Sequence, residues 1–521
     1  MKNTFMCKLG GLVRLCLCGV LTGVLTALVI LFYKICAGAA ISVSHFGYTY
    51  IRGHLYLLPA VLLILGGLAV AFSYIYRKWP YMQGGGIPSS IGILRGFINL
   101  DWLRNLIGTF VLSIFTFIIG VPLGNEGPSV QMGTSVGRGV VRAFPKSRRA
   151  LDRYAMTGGA CAGFSSATGA PISGILFAIE EAHGRFSPLV LLVAATSVLS
   201  ARAVSELLSP LCGVSVSLFP RLEPIVLPAY DLWLPLIIGV TIGLFSVMFL
   251  RYYDMLHRFL SCVLKKCRYS LLLFVIFTLT LVAGLCSFSF VSTGHDLILE
   301  LFENPYMLPL LAVLLVRTTL GLSANAAGIT GGVFVPILAF GALISAMLGF
   351  VLNLTLGISF EYCILILLLG ISACIAGTMK MPLTAVVFAV EALSCHNNLL
   401  SVITATAAAF AVTELFGAHS INERVLEQKL KSIYADRTSR VYNEFVTVQA
   451  NSFVDGKHTR DVLWPANLYI LSVLNGSKVR AEAGQIDETV LYAGDVLHVR
   501  YSTFDEKETK AQLVAMVGEQ Q

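Results

Sequence analysis

Glu126 is the residue whose type and position could carry chemistry. It lies in a Gly/Pro-rich segment, residues 124–133 (GNEGPSVQMG), and the preceding residues 106–123 contain no charged side chain. A carboxylate beside such a run lies within or near a bilayer, where it is costly unless it faces water, ions or a partner. Pro128 predicts the first turn of a new helix. The exposed N–H groups there would form an anion site with Glu126 as its resident anion; the alternative is a plain N-capping role.

The composition indicates where this segment lies. Of the 521 residues, 56% are hydrophobic and 13% charged, which predicts a polytopic membrane protein. The net charge of +8 is modest, and basic residues cluster in short connections such as 146–149 and 265–268. That pattern is typical of cytoplasmic loops, so we expect the protein to contact membrane lipid and to bind no nucleic acid. A retained first helix predicts a multi-pass plasma-membrane protein with cytoplasmic N- and C-termini.

Enzymatic and metal chemistry have little support in the sequence. The twelve cysteines show neither zinc-site spacing nor a disulfide framework. Neither a nucleophile–base pair nor a phosphate-binding loop is recognisable. We therefore expect no enzyme activity, no metal and no cofactor.

Two further segments interrupt apolar runs in the same way, residues 83–90 (QGGGIPSS) and 331–336 (GGVFVP). Bare backbone at membrane depth is tolerated only where it lines a cavity. Residues 170–181 recur as 381–392, with four identities at a separation of 211 positions (382 − 171 = 211). Paired broken helices in two halves predict a transporter site at the repeat interface. Three convergent helix N-termini favour an anion there.

The repeat separates two neighbouring carboxylates. Glu180 has the counterpart Glu391, which predicts a shared structural role at a helix end. Glu181 stands opposite Ala392 and has no counterpart. It is either a solvated interfacial residue or a proton acceptor that feeds the pore.

The composition changes after about Arg437. Short apolar, β-rich runs separated by turns predict strands at 445–448, 468–474 and 496–501. The predicted fold class is an all-α polytopic membrane protein with two inverted-topology repeats and broken helices, followed by a small soluble α+β domain. The predicted division is a transport domain at 1–437, with repeats at roughly 12–206 and 231–416, and a second domain at 438–521.

Residues from about 10 to 430 resemble the CLC family of chloride channels and proton-coupled chloride transporters. Residues 84–88 (GGGIP) resemble the family's GSGIP, residues 124–128 (GNEGP) its GREGP, and residues 332–336 (GVFVP) its GxFxP. The resemblance implies a homodimer in which each subunit has its own path for chloride or another small anion. It also implies that protons are a second substrate.

The resemblance assigns residue roles. Glu126 is similar to the gating glutamate, which competes with anions and carries the proton. Glu181 is similar to the internal proton-transfer glutamate of the exchangers. The positions that resemble the family's anion-binding residues are Gly85, Gly86, Glu126, Gly127, Val333, Phe334 and Asn422.

Three positions depart from the family pattern. Gly85 stands where a serine hydroxyl usually contacts the anion, Asn125 replaces an arginine, and Asn422 occupies the place of the pore tyrosine. An amide can still donate a hydrogen bond, but it is shorter than a tyrosine. Gly85→Ser is predicted to strengthen chloride binding relative to nitrate or thiocyanate, provided that the backbone there does not need a positive φ.

The function that these residues favour is a chloride/proton antiporter. The alternatives are a passive voltage- or pH-gated chloride channel of the same fold and an exchanger that prefers fluoride or nitrate. Residues 440–515 resemble the C-terminal domain of potassium-conductance regulators (TrkA-C/RCK-C type), which implies a regulatory role and a small cytosolic effector. Because few contacts cross most domain boundaries, deletion after Arg437 is predicted to leave a folded dimer that transports.

Overall fold

The computed structural model describes residues 2–143, 149–184, 186–304, 309–434, 439–476, 478–482 and 484–519. The basic loop around Lys146 and the boundary predicted near Arg437 lie outside these ranges. Seventeen helices precede the C-terminal sheet in the described ranges. They are α1 Lys2–Gly53, α2 Leu58–Lys78, α3 Ile87–Leu94, α4 Trp102–Ile119, α5 Glu126–Ala143, α6 Asp152–Thr168, α7 Pro171–Phe177, α8 Pro188–Leu208, α9 Trp233–Lys266, α10 Tyr269–Cys286, α11 His295–Glu303, α12 Leu310–Ala326, α13 Phe334–Leu356, α14 Cys363–Met379, α15 Pro382–Glu391, α16 Leu399–Leu415 and α17 Ile421–Ile433.

Eight helical segments in the described part of the chain are long and apolar enough to cross a membrane. They are Leu12–Gly53, Leu55–Lys78, Trp102–Ile119, Pro188–Leu208, Ala229–Lys266, Tyr269–Cys286, Phe334–Leu356 and His396–Leu415. The protein is therefore a multi-pass membrane protein, as the composition predicts. The shorter helices α3, α7 and α15 begin with proline at the first or second position, where its missing N–H costs nothing.

Small residues let α5 and α6 pack at backbone contact. A Cβ placed on Gly133 would overlap the carbonyl oxygen of Gly159, and a Cβ on Gly159 would overlap that of Gly133. Close approach of this kind is a common basis of helix association in a bilayer. It fixes α5, which begins at Glu126, against the centre of the first repeat.

The C-terminal unit is an antiparallel sheet with one helix. Its strands are β1 Arg440–Thr447, β2 Leu468–Asn475, β3 Lys478–Glu482 and β4 Val496–Thr503, in the order β1-β4-β2-β3, followed by α18 Glu506–Val517. The predicted α+β domain is confirmed, with strand β3 in addition to the three predicted strands. Its apolar core includes Ala150, whereas Leu463 of the connection between β1 and β2 belongs to the core of the membrane domain.

Candidate anion-binding site

The three Gly/Pro-rich helix starts meet at one point. Gly124 donates its N–H to the carbonyl oxygen of Gly332 at 2.6 Å, and Gly332 donates back to Gly124 at 2.7 Å. A Cβ on Gly127 would overlap the carbonyl oxygen of Gly85 and would lie 2.7 Å from Cα of Gly332. The segments before α3, α5 and α13 are therefore in backbone contact, and the convergence predicted from the sequence is confirmed.

Glycine is required where these backbones touch. Gly86 has a φ of 74° and immediately precedes α3. A Cβ on Gly86 would overlap the carbonyl oxygen of Gly127, so a side chain there would be both strained and obstructed. Gly85 between Gly84 and Gly86 is not among the positive-φ residues.

Glu126 is the first residue of α5, so the acid lies inside the first turn and not before it. Its side chain is fully buried, and neither carboxylate oxygen has a properly formed hydrogen bond among the described residues, although the backbone N–H groups of Glu126 itself and of Val335 lie close to the carboxylate. A Cβ on Gly124 would overlap Oε2 of Glu126, so the carboxylate lies against Gly124, beside the Gly124–Gly332 contact. The His295 ring in its protonated form and the ammonium of Lys34 both attract this carboxylate electrostatically.

Val333 and Phe334 bring further N–H groups to the junction. Helix α13 begins at Phe334, and its first backbone bond runs from the N–H of Ile337 to the carbonyl oxygen of Val333. The N–H groups of Val333 and Phe334 precede that bond and belong to the set that a helix start leaves without intrahelical acceptors. The Phe334 ring packs edge-on against Phe164 and Phe388, at centroid distances of 5.2 and 5.4 Å.

Glu181 and Asn422 form a second buried polar group. Glu181 lies in the π-helical turn Ala178–His183 and is 5% exposed, while Asn422 in the first turn of α17 is fully buried. The Asn422 side chain lies next to the Glu181 carboxyl. Even so, Oε1 of Glu181 and both amide atoms of Asn422 lack a properly formed hydrogen bond within the described ranges. Arg95 donates to the backbone carbonyl oxygens of Glu181 and Ala182 at 2.9 and 3.0 Å.

Sequence reasoning missed the residues that brace the glycine turn before α3. The ammonium of Lys429 on α17 donates to the carbonyl oxygens of Tyr81 and Gln83 at 3.1 and 2.7 Å and to Oγ of Ser89 at 2.5 Å. On the other side of the turn, Thr330 donates through Oγ1 to the carbonyl oxygen of Met82 at 2.9 Å. Lys429 lies in a charged amphipathic helix, and its sequence neighbours give no sign of contacts more than 300 residues away.

Comparisons with known proteins agree with this geometry. The family model described as "Voltage gated chloride channel" matches residues 66–414, which is more than half of the chain. The chain belongs to this family. All three helix starts of the junction lie inside the matched range.

Curated relatives include proteins named H(+)/Cl(-) exchange transporter ClcA from Salmonella paratyphi A (strain ATCC 9150 / SARB42) and from Salmonella typhi. Each is 28% identical over 401 residues, covering 75% of this chain and 84% of the relative. The structure of a slow cyanobacterial Cl−/H+ antiporter has a TM-score of 0.71 at 23% identity, covering 80% of this chain and 98% of that one. A CLC-type fluoride/proton antiporter has a TM-score of 0.63 at 19% identity, covering 78% and 96%. These two structural likenesses show the fold.

The family match ends at residue 414. The resemblance of residues 440–515 to potassium-conductance regulators stays a prediction, although the observed sheet and helix are of the expected α+β type.

Proposed function

We propose that this protein is a chloride/proton antiporter in which Glu126 is both the gate and the proton carrier. The observation that carries the proposal is the position of Glu126. Its carboxylate is buried at the junction of three helix starts without a properly formed hydrogen bond among the described residues, beside the N–H group of Val335 at the start of α13. The curated relatives named H(+)/Cl(-) exchange transporters support the same assignment.

The exchange follows from competition for one set of donors. The N–H groups of Gly86, Gly127, Val333 and Phe334 belong to the three helix starts, which favour negative charge. An ionised Glu126 supplies that charge itself and excludes a chloride ion. When Glu126 is protonated it loses the charge, and chloride can take its place. Each exchange of the two occupants therefore ties anion movement to the protonation of Glu126.

Glu181 is the second proton site in this proposal. It is nearly fully buried and lies beside Asn422, which we assign to the inner side of the anion path. Burial without full hydrogen bonding is costly for a carboxylate, so a group that only needed to be solvated would not remain there. This supports the proton-acceptor alternative over the interfacial one. Glu180 does not compete for the role, because its carboxylate is bound to the start of α15.

A passive chloride channel is the second candidate. Gly85 lacks a side-chain donor, and the Asn422 amide is shorter than the tyrosine of the family pattern. The inner end of the anion path is therefore less obstructed here than in a protein with that tyrosine. The same two residues would favour an exchanger selective for fluoride or nitrate. The buried Glu181 supports coupled exchange over the passive channel.

We further propose a plasma-membrane homodimer with both termini in the cytoplasm and a regulatory domain at residues 438–521. The basic last turn of α9, with Lys265 and Lys266, supports a cytoplasmic side there. A cavity of about 480 Å³ lies between the two domains, lined among others by Arg142, Asp505 and Glu508. A small cytosolic effector would bind there.

Flux measured in proteoliposomes with a pH electrode tests the proposal. An outward chloride gradient should drive protons inward, against their own gradient. Chloride flux that never moves protons would leave the passive channel as the function. Absence of any anion flux from folded protein would overturn both.

A further inference from the structure

Asn325 near the end of α12 has a buried side-chain amide that forms no hydrogen bond within the described ranges. Its side chain is 2% exposed, and neither Nδ2 nor Oδ1 has a hydrogen-bond partner in the described part of the chain. The backbone, by contrast, is used, because the N–H of Gly328 donates to the Asn325 carbonyl oxygen at 2.9 Å. Buried polar side chains are nearly always hydrogen-bonded, so each exception calls for a ligand, a water or a functional role.

The amide of Asn325 points at the glycine turn of the anion site. A Cβ placed on Gly85 would lie 3.2 Å from Nδ2 of Asn325, which is tighter than an ordinary van der Waals contact. The N–H of Gly84 donates to the carbonyl oxygen of Gly328 at 2.9 Å and so holds this turn against the end of α12. The Asn325 amide therefore occupies the space that a side chain at Gly85 would need.

We propose that Asn325 is a specificity-determining residue that donates an N–H from its amide to the transported anion. It takes the place of the side-chain donor that Gly85 cannot provide. The ligand is a small monovalent anion such as chloride, and the inference rests on the proposed function. Since no hydrogen bond holds either amide atom, the amide is free to turn its NH₂ group towards the anion.

The space beside Gly85 can be filled either by the Asn325 amide or by a side chain at position 85. Gly85 has no positive φ, so its backbone can accept a serine. A serine there would crowd Asn325 at its Cβ and would compete with the amide for the same anion. A hydroxyl at position 85 should therefore change chloride affinity little while Asn325 is present. It should raise chloride affinity once Asn325 is truncated.

The experiment is a double-mutant cycle on the purified full chain, with sodium chloride, fluoride and nitrate titrated calorimetrically. Asn325→Ala should weaken chloride binding about tenfold or more, the value of one hydrogen bond to a charged group. Gly85→Ser alone should change chloride affinity less than about threefold, unlike the strengthening expected from the sequence, because Asn325 already occupies the space beside Gly85. Gly85→Ser in the Asn325→Ala background should restore binding to within about threefold of the parent.

Wild-type chloride affinity in folded Asn325→Ala protein would overturn the inference. So would a gain of about tenfold from Gly85→Ser alone, because the hydroxyl would then be an added donor with no competitor. The single serine variant keeps α12 unchanged, so it decides the matter even where the alanine variant does not fold. Failure of the proposed function is distinguishable, because it would show in proteoliposomes as chloride flux without proton movement, whereas failure of this inference shows in the anion affinities of the variants.

Discussion

Glu180 and Glu391, which occupy equivalent positions of the two repeats, cap each other's helices. Glu180 accepts from the N–H groups of Leu383 and Thr384 at the start of α15, at 2.9 and 2.7 Å. Glu391 accepts from the N–H groups of the two equivalent residues at the start of α7, at 2.8 and 2.9 Å. The two repeats are thus joined by a reciprocal pair of charge-assisted caps, and the structural role predicted for Glu180 is confirmed.

Neutralising either cap should destabilise the protein by a similar amount. Glu180→Gln and Glu391→Gln each keep one acceptor oxygen but lose the charge at a helix start, for which we expect about 1–2 kcal/mol. Thermal unfolding in detergent would measure both. Glu206→Gln is the matched control, because Glu206 is exposed and pairs with Arg202 on its own helix. A large shift for one cap and none for the other would contradict the symmetric arrangement.

Glu126→Gln is expected to abolish proton coupling and to leave chloride flux equal or faster. A neutral amide imitates the protonated side chain, so the anion no longer competes with a carboxylate for the N–H groups at the junction. Flux and proton movement in proteoliposomes measure both quantities. Uphill proton transport that persists in this variant at the parental rate would refute the assignment of Glu126.

Glu181→Gln is expected to stop proton movement while chloride flux continues. The proton route is proposed to pass through Glu181, and the anion path through the glycine junction does not require its charge. The control is Glu180→Gln, whose neighbouring carboxylate is engaged as a cap. It should retain proton coupling in the folded fraction. The reverse result would show that the repeat comparison selected the wrong carboxylate.

The sequence was sufficient to predict those parts of the site whose residues are unusual in a membrane helix. Glycines and prolines inside apolar runs predict the helix starts, and a lone acid among them predicts Glu126. The repeat predicts that Glu180 is structural. Asn325 and Lys429 could not be predicted, because an amide near the end of an apolar helix and a lysine in an amphipathic one have unremarkable neighbours. Their role depends on contacts with the turn around Gly85, more than 200 residues away in the chain.

Strand β3 and the docking of the C-terminal domain were also beyond prediction. Lys478–Glu482 (KVRAE) is an edge strand with three charged residues in five, so it lacks the apolar alternation that indicates a strand. The docking depends on backbone carbonyl groups of the C-terminal domain, which carry no sequence signal. Arg153 and Tyr154 both form hydrogen bonds across the boundary, so the premise that few contacts cross it is wrong.

Arg153 and Tyr154 at the start of α6 hold the C-terminal domain against the membrane domain. The buried Arg153 guanidinium donates to the carbonyl oxygens of Leu463 and Trp464. Its Nε and Nη2 atoms also donate to the carbonyl oxygen of Leu94, the last residue of α3, at 2.8 and 2.6 Å. Tyr154 donates through its hydroxyl to the carbonyl oxygen of Asp461 at 2.9 Å and accepts from the N–H of Leu463 at 3.1 Å. One cation thus links the C-terminal domain to the helix whose start forms the anion site.

Tyr154→Phe should loosen this docking without disturbing either core. It removes two hydrogen bonds and keeps the ring, so we expect a loss of about 1–2 kcal/mol. Hydrogen exchange of the Leu463 amide in the full chain should accelerate by roughly fivefold or more. Tyr469→Phe is the control, because Tyr469 is 65% exposed on β2. Equal exchange rates in both variants would contradict a role for the Tyr154 hydroxyl.

Deletion of residues 438–521 is expected to destabilise the membrane domain and to slow transport. It removes the carbonyl groups of Leu463 and Trp464 from Arg153 and takes Leu463 out of the membrane-domain core. Water replaces part of this loss, so we expect a net effect of order 1–3 kcal/mol. The thermal midpoint should fall, and chloride flux should fall with it because α3 loses support at Leu94. If the truncated protein melts and transports like the full chain, the bond from Arg153 to Leu94 alone is sufficient to position α3.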